Sequence, residues 1–316
     1  MPGVGLVRAA FFFTMKMKSL QGAVAKANEH MAEERSLRRE RLSSGTTYLV
    51  REPAATAKAV VVLVHGLGST AMCWQPVLRY APADVGLVIP DLPGFGCSPA
   101  NEQIPLDAAT AMIVELLEQL GDERPVTVVA HSVGAAVAMR ALRQRRYGDV
   151  RRLVLVAGTL LSATQVLASP RAMMADPGLT TMVGINVLAG VTPLCPRSAR
   201  TIARHSALRA SLLWPFLAHP RQVPERDLLA VLPHPGGRES FRAIWTSRDI
   251  NLATLMGGLD VATRVVHGAV DRLIDERDIL LARDLLGSDD IVRLEGCAHW
   301  PHIERPAQTA TAAFAA

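Results

Sequence analysis

Three residue types that together make an activated nucleophile occur where a fold can unite them. Ser132 stands in Val128-Val129-Ala130-His131-Ser132-Val133-Gly134-Ala135, where a β-branched run stops and small residues begin. A strand that turns at once into a helix holds such a serine side chain above the sheet, and small neighbours let adjacent backbone pass close by. Gly134 meets that need, while Ala130 stands where glycine is commoner. A serine hydroxyl needs a base, and the base needs an orienting acid. Val265-Val266-His267-Gly268-Ala269-Val270-Asp271 supplies a carboxylate just past an apolar run. Gly296-Cys297-Ala298-His299-Trp300-Pro301 supplies an imidazole just past the last such run. The order Ser132, Asp271, His299 is the order expected of a serine on a strand-to-helix elbow.

Each of these positions must be carried by a strand. Residues 59–64, 86–89, 126–129, 153–156, 264–266 and 291–294 form apolar runs. Continuous rather than alternating apolar strands indicate burial on both faces. Helical patterns at 107–120, 133–145, 276–286 and 307–314 separate them. Strands alternating with helices predict an α/β fold with a mostly parallel sheet and right-handed crossovers. Residues 38–42 and 46–51 read as two short strands around Gly45. Open sheets of this kind bind ligands beyond the carboxyl ends of their strands, where all three chemical residues fall.

Two stretches depart from this rhythm. Residues 159–260 contain no convincing strand, and prolines from Pro170 to Pro235 punctuate short helical pieces. This stretch is expected to be a helical cap over the strand ends, dividing the core into 36–158 and 261–316. Residues 1–35 form an arm with a helix expected at 14–36. Its apolar run at 4–15 is followed by Lys16 and Lys18, unlike the charge-first layout of a secretory signal. The run is also too short to span a bilayer as a helix. Three readings stand: a true start at Met15 or Met17, a helix packed on the body or on a second copy in a homodimer, or a segment lying on a membrane surface.

The chain resembles the α/β-hydrolase superfamily over residues 36–316. His65-Gly66-Leu67-Gly68-Ser69 is similar to the family's oxyanion loop, and Asp91-Leu92-Pro93-Gly94-Phe95-Gly96-Cys97-Ser98 to the turn after its next strand. Ala298-His299-Trp300-Pro301-His302-Ile303-Glu304-Arg305-Pro306 is similar to its histidine loop. The resemblance implies a serine esterase-like branch in which Ser132 is nucleophile, His299 base and Asp271 acid. It also implies an oxyanion hole built from the backbone N–H groups of Leu67 and Val133. Relatives that carry the acid after an earlier strand would need it near Ala157-Gly158-Thr159, where no carboxylate occurs. A serine at the elbow sets aside the branches with an aspartate nucleophile. The expected reaction is hydrolysis of a carboxylic ester or related acyl compound through an acyl-enzyme. Alternatives are a thioesterase, a carbon–carbon bond hydrolase, an acyl-eliminating enzyme, and a non-catalytic binding protein on the same fold.

Other residues near these motifs have simpler readings. His65 and His131 are expected to position loops, and His302 is the rival to His299 as base. Asp91 reads as a structural residue of its turn. Asp260, Asp275 and Asp278 read as solvated charges, and Cys97 and Cys297 as small packing residues. Met173, Met174, Trp214 and Trp245 are candidates to line an apolar substrate pocket in the cap.

Composition narrows the partners. Hydrophobic residues make up 49% of the 316 residues, enough for a sizeable core and too many for wholesale disorder. Aromatics at 4% are too sparse for base-stacking surfaces. The net charge of +5 is split, with +4 in residues 1–42 and +4 in 160–260, so no single basic stripe faces a duplex. Nucleic acid is therefore not an expected partner, and a small acyl substrate is. Four widely spaced cysteines show neither metal spacing nor a disulfide framework. The expectations are no metal, no cofactor and a cytoplasmic location.

Overall fold

The computed structural model describes residues 37–51, 59–100, 105–121, 124–144, 150–233, 237–248 and 250–315. The arm at 1–35 and the helix expected at 14–36 lie outside the described residues. Among the described residues eight strands form one sheet: β1 (Arg38–Arg41), β2 (Thr47–Arg51), β3 (Ala59–Val64), β4 (Val85–Pro90), β5 (Val126–His131), β6 (Val150–Val156), β7 (Ala262–Gly268) and β8 (Ile291–Leu294). Their order is β1-β2-β4-β3-β5-β6-β7-β8. The β1–β2 and β2–β4 pairs are antiparallel and the rest are parallel. Gly45 turns β1 into β2 at φ +84°, a region that glycine enters without steric cost.

The helices of the body are α1 (Gln75–Leu78), α2 (Pro105–Leu120), α3 (Val133–Gln144), α12 (Glu276–Leu286), α13 (Pro301–Glu304) and α14 (Pro306–Phe314). Between β6 and β7 run α4 (Leu161–Ala168), α5 (Pro170–Ala175), α6 (Pro177–Val191), α7 (Pro196–Arg204), α8 (Ser206–Leu213), α9 (Glu225–Val231), α10 (Gly237–Ser247) and α11 (Leu252–Met256). Proline occupies the first turn of α5, α6 and α7, where its missing N–H costs nothing. No described helix is long and apolar enough to cross a membrane.

Strand alternation divides the core in two. Val60, Val62 and Val64 of β3 pack with Ile113 of α2, Ala138 of α3 and Ile279 of α12. Val61 and Leu63 pack on the opposite face with Trp74, Val77 of α1 and Ala310 of α14. Each fully buried Val, Leu or Ile among them contributes about 1.5–3 kcal/mol of transfer free energy. The insertion serves both faces: Val183 and Met256 join the first cluster, and Leu217 and Leu228 join the second. It is also fastened by charge. Both Nη atoms of Arg79 donate to the carboxylate of Asp227 on α9, at 2.6 and 2.8 Å.

Register then decides where the loops emerge. Val64 pairs with Ala130, His131 with Val156, Val156 with Val266, and Gly268 with Leu294. Their strand ends form one row, so the segments that follow share a rim. Asp91 anchors one part of it. Its buried carboxylate accepts from Ala71 N–H at 2.8 Å and Cys97 N–H at 2.9 Å, and meets Arg39 Nη1 at 3.2 Å. A Cβ on Gly96 would collide with that carboxylate. Asp91→Ala leaves two N–H groups and a guanidinium without their acceptor. It is expected to lower unfolding stability by about 3 kcal/mol, read from urea midpoints. A midpoint equal to wild type would contradict this anchoring.

Candidate active site

Ser132 is a non-glycine residue at φ +52°. A left-handed residue of this kind costs about 1–3 kcal/mol and persists only where its surroundings over-determine it. Here Ser132 N–H donates to Val156 O at 3.0 Å, and Ala135 N–H donates to Ser132 O at 2.9 Å. The helix of small residues is a steric requirement. A Cβ on Gly134 would run into the carbonyl oxygen of His65, and one on Gly158 into Ala135.

The strained turn presents Oγ to a base. Ser132 Oγ lies 3.0 Å from His299 Nε2, and His299 Nδ1 lies 2.9 Å from Asp271 Oδ2. A carboxylate only accepts, so Nδ1 carries the ring proton and donates it to Asp271. Nε2 is thereby left to accept from the serine hydroxyl. The other oxygen, Asp271 Oδ1, accepts from Leu273 N–H at 2.8 Å. The Asp271 side chain is fully shielded from solvent and that of His299 nearly so. An imidazole held in that orientation against a serine hydroxyl is equipped for general-base chemistry.

His299 reaches Ser132 across a considerable span. Its loop leaves β8 and Ser132 leaves β5, three strand spacings or about 14 Å apart. Absence of a side chain at Gly268 makes the route possible, since a Cβ there would strike the carbonyl oxygens of Cys297 and Ala298. Val270 N–H donates to Cys297 O at 3.0 Å. Glu304 holds the loop from its other side, accepting from Ala298 N–H at 2.7 Å and from His219 N–H of the insertion at 2.8 Å. Phe216 of the insertion stacks on Trp300, with ring centroids 4.7 Å apart.

Leu67 and Val133 flank the same serine. Val133 opens α3, where a helix leaves its first N–H groups without intrahelical partners. Leu67 follows Gly66, whose added Cβ would lie 3.1 Å from Ser132 Cβ. The Leu67-Gly68 turn is covered by α6, with Gly190 in contact with both residues.

The remaining histidines divide by position. His65 Nε2 accepts from Leu92 N–H at 3.0 Å, and its Nδ1 therefore donates to Gly66 O at 2.8 Å. Burial lowers its pKa. His302 is buried against Trp74 and His131, and no contact brings it to Ser132. Burial first, and the neighbouring His299 second, hold its pKa at about 3.

Several side chains stand elsewhere than the sequence suggests. Asp275 is exposed and caps α12, as a solvated charge does. Asp278 instead is buried, because Ser162 reaches it from the insertion with N–H at 3.0 Å and Oγ at 2.6 Å. Burial raises its pKa to about 6. This pair was missed because nothing in the local sequence announces a partner 116 positions away. A cavity of about 180 Å³ opens beside it, between Ser162, Leu179 and Met182 on one side and Asp271 to Ile274 on the other. Met173, Met174, Trp214 and Trp245 do not line this cavity and are 40–75% exposed. Trp245 packs under Arg248, whose guanidinium carbon sits 3.8 Å from the ring centroid. Trp214 lies 5.3 Å from the guanidinium carbon of Arg272, the neighbour of Asp271. Among the described residues no cluster of His, Cys, Asp and Glu could hold a metal ion.

Comparison with known proteins agrees with this fold. The family model described as "Alpha/beta hydrolase family" matches residues 61–312. Lipase LipV of Mycobacterium tuberculosis is 33% identical over 129 residues, covering 40% of this chain and 48% of the relative. This chain thus spans about half the length of that relative. A pimeloyl-[acyl-carrier protein] methyl ester esterase of Aeromonas salmonicida is 28% identical over 254 residues, covering 78% of this chain and 91% of the relative. A crystal structure of a putative lipase from Acinetobacter baumannii superposes with a TM-score of 0.64 at 18% identity, covering 90% of this chain and 93% of that one. At that identity the likeness shows the fold alone.

The buried histidine gives stability a defined pH dependence. The unfolded chain takes up a proton at His302 below about pH 6.5, whereas the fold does so only near pH 3. This contribution is complete above pH 6.5 and is lost as pH falls, by about 1.4 kcal/mol per pH unit. Asp278 acts in the opposite direction, because the fold binds its proton near pH 6 and the unfolded chain only near 3.8. His302→Phe keeps a ring beside Trp74 and removes the first contribution. Urea midpoints between pH 6.5 and 4 are therefore expected to fall less steeply than in wild type, by about one proton. An unchanged slope would contradict the burial of a neutral His302.

Proposed function

Because the chain belongs to the alpha/beta hydrolase family, we propose that it hydrolyses a carboxylic ester through Ser132, His299 and Asp271. The observation that carries this reading is the unbroken chain of two hydrogen bonds, 3.0 Å and 2.9 Å, from a strained serine to a buried carboxylate. His299 Nε2 takes the hydroxyl proton as Oγ attacks the acyl carbon. The imidazolium that forms is stabilised by Asp271, already in place and already dry. The oxyanion is held by the N–H groups of Leu67 and Val133. Donors of this type contribute about 10²–10³ in turnover each. His299 then returns the proton to the departing alkoxide, and the alcohol leaves. Water, deprotonated by the same Nε2, releases the acid and restores Ser132.

The insertion, as a cap, sets the substrate. Gly190 on the Leu67-Gly68 turn places α6 over the oxyanion donors, so an acyl group enters between cap and sheet. Leu179 and Met182 give the adjoining cavity an apolar wall. The relative named as a pimeloyl-[acyl-carrier protein] methyl ester esterase matches most of the chain, which favours a small ester on a longer acyl group. The net +4 of residues 160–260 suits an acyl group borne on an anionic carrier.

Purified protein is expected to cleave short p-nitrophenyl esters. Ser132→Ala is expected to lower kcat by about 10⁴-fold or more with the fold intact by circular dichroism. Asp271→Asn, which loses the tautomer control, is expected to lower it by about 10⁴-fold. Full ester turnover by Ser132→Ala would overturn the reading. Release of thiol from acyl thioesters, with esters untouched, would move the assignment to a thioesterase.

A further inference from the structure

We infer that His131 is a positioning residue that ties the nucleophile turn directly to the main chain of the base. This inference rests on the ester-hydrolase reading above. The problem it addresses is mechanical. Ser132 and His299 belong to strands that do not pair, and a shift of about 1 Å between their loops can cost about 100-fold in rate. Something must lock one loop to the other without passing through the reacting atoms.

His131 sits where such a lock is needed. It is the last residue of β5 and the immediate neighbour of Ser132. Its Nε2 lies 3.0 Å from the carbonyl oxygen of His299. A carbonyl only accepts, so Nε2 carries the proton and donates it. The ring is buried between His299 and His302, with centroid distances of 5.4 and 4.3 Å. Desolvation, then the neighbouring His302 and His299, keep its pKa well below the usual value, so the ring is neutral and has one N–H to give. That single donor goes to the base. Among the described residues the other nitrogen, Nδ1, has no hydrogen-bond partner. A Cβ on Gly66 would come within 2.8 Å of it, so the glycine of the oxyanion loop admits the ring. A buried nitrogen left unsatisfied costs about 1–3 kcal/mol. A hydrophobic ring of similar shape would avoid that cost, yet it would forfeit the bond to His299.

The lock complements the grip on the other side of the base. Glu304 accepts from the N–H of Ala298, and His131 donates to the C=O of His299. The main chain around the base is therefore held by two side chains, one from α13 and one from the nucleophile strand. His131 bonds to the main chain of His299, whereas the Ser132 hydroxyl and the His299 ring nitrogens bond to one another and to Asp271.

The test compares three variants with wild type on a p-nitrophenyl ester, each corrected for folded fraction by thermal melts. His131→Phe keeps the ring and removes the donor. His131→Gln places an amide N–H near the original Nε2, and His131→Asn places one too short to reach. His131→Phe is expected to lower kcat by about 10–100-fold with KM within about twofold. Phosphonylation of Ser132 is expected to slow in parallel, because it depends on the same base. His131→Gln is expected to recover most of kcat and His131→Asn little of it. If His131→Phe fails to fold, the Gln and Asn pair still decides. Equal kcat in those two, or wild-type kcat in His131→Phe, overturns the lock. Neither result touches the parent reading, which falls only if Ser132→Ala still turns over ester.

Discussion

A close approach at the carboxyl end of β7 is the constraint on which the site depends. The loop that bears His299 must cross from β8 toward β5, and it crosses against Gly268. With a side chain there, the carbonyls of Cys297 and Ala298 would be displaced, and the imidazole with them. Gly66, Gly134 and Gly158 solve the same problem around Ser132. The rim is thus built from close approaches, of backbone at Gly268 and Gly134 and of the His131 and Ala135 side chains at Gly66 and Gly158. That is why it tolerates a serine in a left-handed conformation, since the strain is balanced by hydrogen bonds on both sides of the turn.

Electrostatics follow from that crowding. Asp271 is dry, and both its oxygens are occupied by fixed donors, the His299 ring and the Leu273 amide. In the proposed mechanism nothing about the carboxylate must reorganise when positive charge forms on the imidazole, which is how preorganised sites lower barriers. The insertion is part of this arrangement. It reaches the His299 loop through His219 and Phe216, the Leu67-Gly68 turn through Gly190, and α12 through Ser162. The insertion and the loops that carry Leu67 and His299 therefore share contacts.

Much of this was legible in the sequence, for identifiable reasons. Apolar runs at 59–64 and 291–294 became strands with those bounds, because burial on both faces leaves a continuous signal. The run at 264–266 extends to Ala262–Gly268, since its outer end carries exposed and polar residues that hide the strand. Ser132, Asp271 and His299 could be picked out because each follows a strand, and the structure brings their side chains into hydrogen-bonding reach. Asp91 likewise sits in its turn with a structural set of partners. What the sequence hid were pairings between distant segments. Asp278 read as a solvated charge and is buried under Ser162. Met174 and Trp245 read as pocket candidates and are exposed, because an apolar residue type alone does not say which face of a helix is covered. The bond from His131 to a main-chain carbonyl leaves no trace in residue type at its far end.

The central claim is that Ser132 is the nucleophile and His299 its base. Fluorophosphonate labelling followed by peptide mapping tests it most directly, because the probe reports a reactive hydroxyl without presupposing a substrate. One adduct is predicted, on the peptide carrying Ser132, and it is predicted to be absent from His299→Ala. An adduct on any other residue, or undiminished labelling of Ser132 in His299→Ala, would contradict the account.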